Sequence, residues 1–430
     1  MKVLMFGWEF PPLISGGLGT ACFGITRGLI DSGVDVTFVL PASKGRTNSG
    51  GVHLIGADSI PLTGSDIQSL HEFKNRLKII TAETRVQISP YYTSAVHSES
   101  ELFFMRKNYN TESGVHSILD FTGNYGKNLM YEVMKYGIIG SYLGYFHDCD
   151  IIHAHDWLTF PAGVAAKNAS GKPLVVHVHA TEYDRSGEHM NNEVYNIEKY
   201  GMENADLIIA VSHYTKSIIM QHYGIAADKI RVVHNAVNKQ KQIERYGITK
   251  NLKEKIVLFL GRVTMQKGPD YFIEAANLVL QKIPNVRFVM AGSGDMLPRM
   301  ISRMAQLRIS DRFHFTGFLH GTDVERMYAL SDVYVMPSVS EPFGISPFEA
   351  LLYDIPIIIS RQSGVAEILK SALLIDFWDI QKLAESIIKT LEDESFSRMI
   401  VERCQESIKH IEWNNAGREI RQIYSNLLSK

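Results

Sequence analysis

The chain has few cysteines, no excess of either charge and no long apolar run, and each absence removes a class of function. Its 430 residues hold three cysteines, Cys22, Cys149 and Cys404, odd in number and far apart. A disulfide framework or a paired-thiol metal motif is excluded, and a reduced, cytoplasmic setting is expected. Lys and Arg total 44 against 46 Asp and Glu, so neither nucleic acid nor an anionic membrane surface is implied as a partner. Any anion site must be local, built from a few placed donors. No stretch reaches the ~18 apolar residues of a membrane span. The opening MKVLMFGWEF is broken by Glu9 and lacks a small-residue cleavage site, so it reads as a buried first strand and not as a leader. Low-complexity segments and short repeats are missing. So are GxGxxG, GxxxxGK[ST] and HExxH, which leaves dinucleotide, P-loop and zinc-protease readings without direct support.

What is present is a repeated strand–helix rhythm. Hydrophobic residues make up 45% of the chain, ample for packed cores, and the length argues for two or three domains. Strands are predicted at 2–7, 34–41, 150–157, 173–181, 205–212 and 230–237, with helices at about 20–31 and 127–146 and Gly33 closing the first helix. Residues 43–125 break the rhythm and read as shorter strands and long loops. A charged, aperiodic stretch, 238–253, reads as a linker. Further strands follow at 255–263, 286–294, 312–318, 332–338, 355–360 and 372–376, and then helices alone over 379–428. The expected class is α/β: two doubly wound parallel-sheet domains, 1–237 and 254–412, with a closing segment at 413–430. Ligands on such sheets bind outside the strand C-termini, so the two domains predict a cleft.

Four stretches carry candidate chemistry. SGGLGT (15–20) lies between the first strand and helix; its glycines permit close backbone approach and the helix start favours an anion. The plain alternative is a tight turn. HAHDW (153–157) and HVHATEYDR (177–185) end two strands. Strand alternation places His153 with His155 and His177 with His179. One histidine of each pair is expected in the core, while His155, Asp156, Trp157 and His179 reach the cleft. Metal is not expected, because neither HExxH nor a cysteine pairing supports it. GRVTMQKG (261–268) offers Arg262 and Lys267 on one loop, a rigid fork and a flexible point charge suited to a diphosphate, or else two solvated surface charges. SEPFGISPFEA (340–350) holds Glu341 and Glu349. Ser346, Pro347 and Glu349 form the signature of a capping box, a complete structural account of Glu349. Glu341 has none. A glycosidase pair would flank one bond, but cationic groups and helix starts stabilise an anionic leaving group, which hydrolysis of a plain glycoside does not make.

Together these stretches resemble the retaining GT-B nucleotide-sugar glycosyltransferases over nearly the whole chain. FGWEFPPLISGGLG and HAHDW are similar to the bacterial glycogen and starch synthases. HATEYDR and the modest length look more like the broader hexosyltransferases that include archaeal-type glucan synthases. The resemblance implies two Rossmann-like domains and a last helix crossing back to the first. It implies a nucleotide diphosphate sugar such as ADP-glucose or UDP-glucose as substrate, a saccharide acceptor, and no cofactor. By motif, Gly16 and Gly17 would contact the diphosphate and His179 would lie by the donor sugar. Arg262 and Lys267 would bind the diphosphate and stabilise the leaving group, and Glu341 would hold sugar hydroxyls. Backbone amides of Phe343, Gly344 and Ile345 would assist, Glu349 would accept from the ribose, and the backbone of Phe318 and Leu319 would meet the base. Asp156 and Trp157 would line the acceptor side. One departure stands out: the synthases carry a lysine where this chain has Ile14. The alternatives are transfer to a lipid or cell-wall saccharide, a nucleotide-sugar epimerase, and a binding protein without turnover.

Overall fold

The computed structural model describes residues 1–11, 16–62, 106–111, 114–237 and 254–429. The expected linker at 238–253 and Ile14 lie outside them, as does much of the 43–125 excursion. The N-terminal half contains β1 (Lys2–Phe6), β2 (Asp35–Leu40), β3 (Asn48–Ser49), β4 (Val52–Gly56), β5 (Arg106–Thr111), β6 (Gly114–Leu119), β7 (Ile151–His155), β8 (Leu174–Val178), β9 (Leu207–Ala210) and β10 (Ile230–Val232). The C-terminal half contains β11 (Lys255–Leu260), β12 (Val286–Ala291), β13 (Phe313–Gly317), β14 (Val333–Met336), β15 (Ile357–Ser360) and β16 (Leu373–Ile375).

The first sheet runs β10-β9-β8-β7-β1-β2-β4-β3 and the second β13-β12-β11-β14-β15-β16. Every described pairing in them is parallel except β3 with β4. Parallel strands covered on both faces read as near-continuous apolar runs, and KIVLFL and LVVHV show it. Alternate residues feed opposite cores. Leu4 and Phe6 join one cluster in the first half, Val3 and Met5 the other. Ile256 and Leu258 join one in the second half, Val257 and Phe259 the other. β4 pairs with β2 in parallel, Thr37 opposite His53, so part of the irregular 43–125 stretch extends the main sheet. β5 and β6 form a separate antiparallel hairpin. Among the described residues no helix is long and apolar enough to cross a membrane.

Gly33 does follow the first helix, with φ +85° and its amide bonded to Ile30 O. Chain ends tie the two halves together. The last helix, Trp413–Leu428, buries Ala416, Ile420 and Tyr424 in the core beneath the N-terminal sheet. It crosses the first helix, Gly17–Asp31, at glycines: a Cβ on Gly28 would lie 2.1 Å from Trp413 O, and one on Gly417 would lie 2.1 Å from Gly28 C. No side chain fits where two backbones touch. Gly28→Val is therefore expected to force the helices apart and destabilise by about 1–3 kcal/mol, the usual scale of overpacking. A thermal-unfolding midpoint equal to that of the parent protein would contradict this close crossing.

Candidate active site

Because all strands of the second sheet are parallel, their C-terminal ends open on one edge, and the loops there build the site. The first is GRVTMQKG. Gly261 leaves β11 with φ +157° and its amide bonds to Ala291 O at 2.9 Å. The loop after β12 lies directly on it, with Val263 N bonded to Ser293 O and a Cβ on Gly292 falling 1.8 Å from Gly261 O. A 3-10 turn, Met265–Lys267, then presents Lys267 and stops at Gly268. Gly268 has φ +65°, and a Cβ there would lie 2.1 Å from Pro337 O. That contact fixes the turn against the exit of β14.

The Glu341 loop is docked onto this same turn. The amides of Val339 and Ser340 both bond to Gln266 O, at 2.9 and 3.4 Å. Glu341 N bonds to Gln362 O, and Glu341 O accepts from Gly364 N, both at 2.9 Å, forming a bridge to Ser363. These bonds bring Lys267 Nζ onto Glu341 Oε2, which also accepts from Ser338 Oγ at 3.3 Å. The Glu341 carboxylate is 8% exposed and the Lys267 side chain 21%. Gly261, Lys267, Tyr334, Ser338 and Ser346 share the lining of one recess there. Arg262 is exposed and donates to Gln266 Oε1 at 3.2 Å, so it faces solvent beside Lys267 without joining the pair.

The capping box expected at 346–349 does not form. Helix Ser346–Leu352 begins after Ile345, whose backbone is already helical, and no side chain caps it. Ser346 is thus inside the helix and one residue late for the role. Glu349 instead accepts from Tyr328 OH at 3.2 Å and remains partly exposed. Gly344 takes φ +96°, and the amides of Phe343, Gly344 and Ile345 donate to no backbone acceptor among the described residues. The side chain of Phe343 is buried, 2% exposed, and packs 5.6 Å from Phe348. Phe318 is 49% exposed beyond β13 with Leu319 beside it, partly buried.

A capping box does form in HATEYDR. Thr181 accepts from Asp184 N at 3.3 Å, and Asp184 Oδ2 accepts from Thr181 N at 2.7 Å. The turn before it is held by Asp156, whose Oδ1 accepts from His179 N at 2.7 Å and Ala180 N at 3.4 Å. Asp156 has φ +58° and is 6% exposed. Burial pushes its carboxyl up to about 6, against the opposing pull of Arg185 and those two amides. It therefore shapes the His179 turn from below, while Trp157 stays partly exposed beside it. Arg185 is anchored in turn by Glu198 at 3.1 Å and by Ala180 O at 3.1 Å.

The four histidines form one stack. Ring centroids lie 4.5 Å apart for His153 and His155 and 4.4 Å for His177 and His179. His155 is fully buried and does not reach the cleft as expected, because Phe38, His153 and His177 stack around it. His155 Nδ1 meets His179 Nε2 at 2.9 Å, and His153 Nδ1 bonds to Tyr424 OH of the last helix. Ligand atoms of Cys22, His155 and His179, and of His153, His155 and His177, lie within 4.8 Å of one another. Two of these nitrogens are already engaged within the protein, His155 Nδ1 with His179 and His153 Nδ1 with Tyr424 OH. Burial holds all four rings well below the ordinary imidazole range, His153 and His179 to about 3.

The two halves meet across the Glu341 loop. Ser340 Oγ donates to Asp184 Oδ1 at 2.6 Å and meets Tyr214 OH at 3.0 Å. Pro342 O accepts from Ser212 Oγ at 2.5 Å and Thr215 Oγ1 at 3.2 Å. Glu367 accepts from the amides of His213 and Tyr214 and from His234 Nε2. Burial alone would raise the Glu367 carboxyl, but His234 and the two amides bring it below its usual value. The capped turn after β8 thus lies against the loop that carries Glu341. Gly16 and Gly17 open the first helix on the N-terminal side, exposed, with nothing within 4 Å of a Cβ on either. Sequence reasoning passed over Glu9, 6% exposed, which accepts from Tyr125 OH and follows β1 at the same edge. Its signal was the acidic break in an apolar start.

Comparison with known proteins bears on the family and the fold. The family model described as glycosyl transferases group 1 matches residues 240–407, and that of glycosyltransferase family 4 matches 136–241. An uncharacterized glycosyltransferase of Methanocaldococcus jannaschii is 28% identical over 443 residues, covering 99% of this chain and 98% of that one. The glycogen synthase of Mycobacterium tuberculosis is 22% identical over 438 residues, covering 99% and 94%. Among solved structures, sucrose-phosphate synthase from Thermosynechococcus elongatus aligns over 100% of this chain and 99% of its own at TM-score 0.69 and 17% identity. Anabaena HepE in complex with UDP-glucose aligns over 99% and 100% at TM-score 0.63 and 18% identity. The fold is GT-B.

The histidine stack has a consequence for stability. A buried imidazole held neutral gives stability that is full above ~6.5, its unfolded value, and is lost as pH falls toward its lower folded value. Asp156 and Glu198, raised by burial to about 6 and about 7, act in the opposite sense, so a single-site comparison isolates the effect. His177→Met, followed by denaturant unfolding from pH 7 to 5, is expected to narrow the parent's stability relative to the variant by up to about 1.4 kcal/mol per pH unit below 6.5. A constant difference across that range would show that His177 is not buried neutral.

Proposed function

Because the chain belongs to the group 1 glycosyltransferases, we propose that it transfers a hexosyl group, glucosyl in the first instance, from a nucleotide diphosphate sugar to a saccharide acceptor of the glucan type, with retention at the anomeric carbon. The observation that carries this reading is the Lys267–Glu341 pair, set where the C-terminal edges of both sheets meet. A cation beside a carboxylate matches the two ends of such a donor, diphosphate and sugar hydroxyls. On donor binding Lys267 turns to a phosphate oxygen and Glu341 accepts from hydroxyls. Lys267 exchanges a carboxylate for a phosphate and Glu341 exchanges a cation for hydroxyl donors, so each charge keeps a hydrogen-bonding partner. Arg262 adds a second cation from the loop's outer side, the amides of Phe343, Gly344 and Ile345 are open to anionic or hydroxyl oxygens, and the Gly16–Gly17 turn lies open to the diphosphate from the facing half.

In the reaction the bond from the anomeric carbon to the phosphate oxygen breaks, and its electron pair leaves with the nucleoside diphosphate. The acceptor hydroxyl oxygen forms the new bond on the same face, and its proton passes to the departing phosphate. Preorganised positive charge lowers this barrier by stabilising the leaving group. His179, held neutral by burial, would offer a hydrogen bond near the sugar and not a proton. No cofactor is called for. A UDP-glucose-bound neighbour and a glycogen synthase relative make UDP-glucose and ADP-glucose the first donors to try, and Glu349 with the Phe318–Leu319 backbone would meet ribose and base.

The test is a panel of nucleotide sugars against maltooligosaccharides and simple sugars, read by product and its anomeric configuration. An α-linked product from an α-linked donor is expected, and Lys267→Ala and Glu341→Ala should each cut turnover by on the order of 10²-fold or more. Near-normal turnover in both variants would overturn the site assignment. Conversion of the donor sugar with no acceptor extended would favour an epimerase.

A further inference from the structure

We propose that the turn after β16 carries an aromatic platform for the acceptor, engaging sugar units beyond the one that reacts. The inference rests on the saccharide acceptor proposed above. The turn is Asp376-Phe377-Trp378-Asp379. Its backbone is fixed twice, by Asp379 N to Asp376 O at 2.9 Å and Ile380 N to Trp378 O at 3.0 Å, and Asp379 caps the helix that follows. Trp378 is 57% exposed, in a protein whose other large rings are mostly buried. Phe377 braces it edge-on at 4.7 Å and is itself braced by Tyr271 at 5.1 Å. Tyr271 lies against Gly268, the residue after Lys267: a Cβ on that glycine would be 3.1 Å from Tyr271 Cδ2.

The platform is continuous with the site. Asp376 Oδ1 accepts from Gln362 Nε2 at 3.0 Å, and Gln362 O accepts from Glu341 N. Along the edge of the second sheet the loops run β13, β12, β11, β14, β15, β16. Phe318 stands at the first position, Lys267 at the third, Glu341 at the fourth and Trp378 at the last. The turn therefore lies on the far side of Glu341 from the base end, two strand spacings or roughly 10 Å away. An acceptor chain that enters the cleft past Asp156 and Trp157 and continues the line from base to diphosphate to sugar reaches this turn with its distal units.

The chemistry is that of sugar recognition. A pyranose has an apolar C–H face and a rim of hydroxyls. A flat, rigid, exposed indole covers the first with large apolar area at little entropic cost. Gln362, Asp376 (39% exposed) and Arg361 (55% exposed, 3.9 Å from Asp376) supply amide, carboxylate and guanidinium for the second. A rim of both charges and an amide suits neutral hydroxyls; an anionic ligand would want cations alone, and a lipid tail would want neither.

Trp378→Ala, Trp378→Phe and the parent protein are to be compared by calorimetric titration with maltoheptaose, and by turnover with UDP-glucose and ADP-glucose on maltose and maltoheptaose. Trp378→Ala should weaken maltoheptaose binding and raise its KM by about tenfold, the scale of one stacked ring. Donor KM, kcat and activity on maltose should hold, and Trp378→Phe should restore much of the loss. Equal maltoheptaose affinity and KM in parent and Trp378→Ala would overturn the platform while leaving the transferase reading intact. Maltoheptaose binding that depends on Trp378 without any transfer would keep the platform and refute the proposed reaction. No binding of maltoheptaose by the parent, or a change of oligomeric state on Trp378→Ala with saccharide binding unaltered, would also overturn it.

Discussion

A carboxylate closed off from water has to be paired, and the candidate site is organised around how Glu341 meets that requirement. Its partner is Lys267, 74 residues away in sequence. The contact exists because the Glu341 loop is hydrogen-bonded to the carbonyl of Gln266, one residue before the lysine. That docking in turn needs Gly268 to sit on Pro337 O and Gly261 to sit under the loop after β12. One ion pair therefore depends on loops from β11, β12, β14 and β15, all at the same edge of one parallel sheet. The pair is self-sufficient without a ligand, and in the proposed reading a donor gives Lys267 a phosphate oxygen and Glu341 hydroxyl donors in exchange.

The opposite wall is built on the same logic of buried charge. Arg185 and Glu198 hold the Ala180 turn, Asp156 holds the His179 amide, and Asp184 both caps its own helix and reaches Ser340 across the cleft. Ser340 and Pro342 flank Glu341 and both bond across the cleft, so the position of one half bears on the carboxylate of the other from both sides. The last helix fixes the N-terminal core from beneath, with Tyr424 bonded to the innermost histidine of the stack. The histidines, kept neutral by burial, bring no charge of their own to a site whose electrostatics come from Lys267, Arg262 and Glu341.

Much of this was legible in the sequence, for stated reasons. Buried parallel strands such as KIVLFL and VRFVMA are near-unbroken apolar runs, so they were found to within a few residues. β4 was not separated from its loops because VHLIG alternates apolar and polar residues among turn glycines. The capping box read at 346–349 failed because Ile345 is already helical, and the one that forms at 181–184, where Thr181 is extended, was not read from the sequence. Strand alternation correctly paired the histidines, yet gave no depth, and His155 lies under Phe38 instead of at the cleft. The Lys267–Glu341 and Ser340–Asp184 contacts were out of reach, since each depends on how loops dock and no local pattern encodes that.

In the proposed reading Glu341 answers to the sugar and Lys267 to the diphosphate. The most direct measurement is the affinity of the parent protein, Glu341→Ala and Lys267→Ala for a nucleoside diphosphate and for the matching nucleotide sugar, with UDP and UDP-glucose as one pair and ADP and ADP-glucose as the other. Glu341→Ala should weaken the nucleotide sugar while leaving the nucleoside diphosphate as tight as before or tighter, because Lys267 is released from its partner. Lys267→Ala should weaken both. Equal loss of both ligands in Glu341→Ala, or no loss of either in Lys267→Ala, would contradict this division of roles.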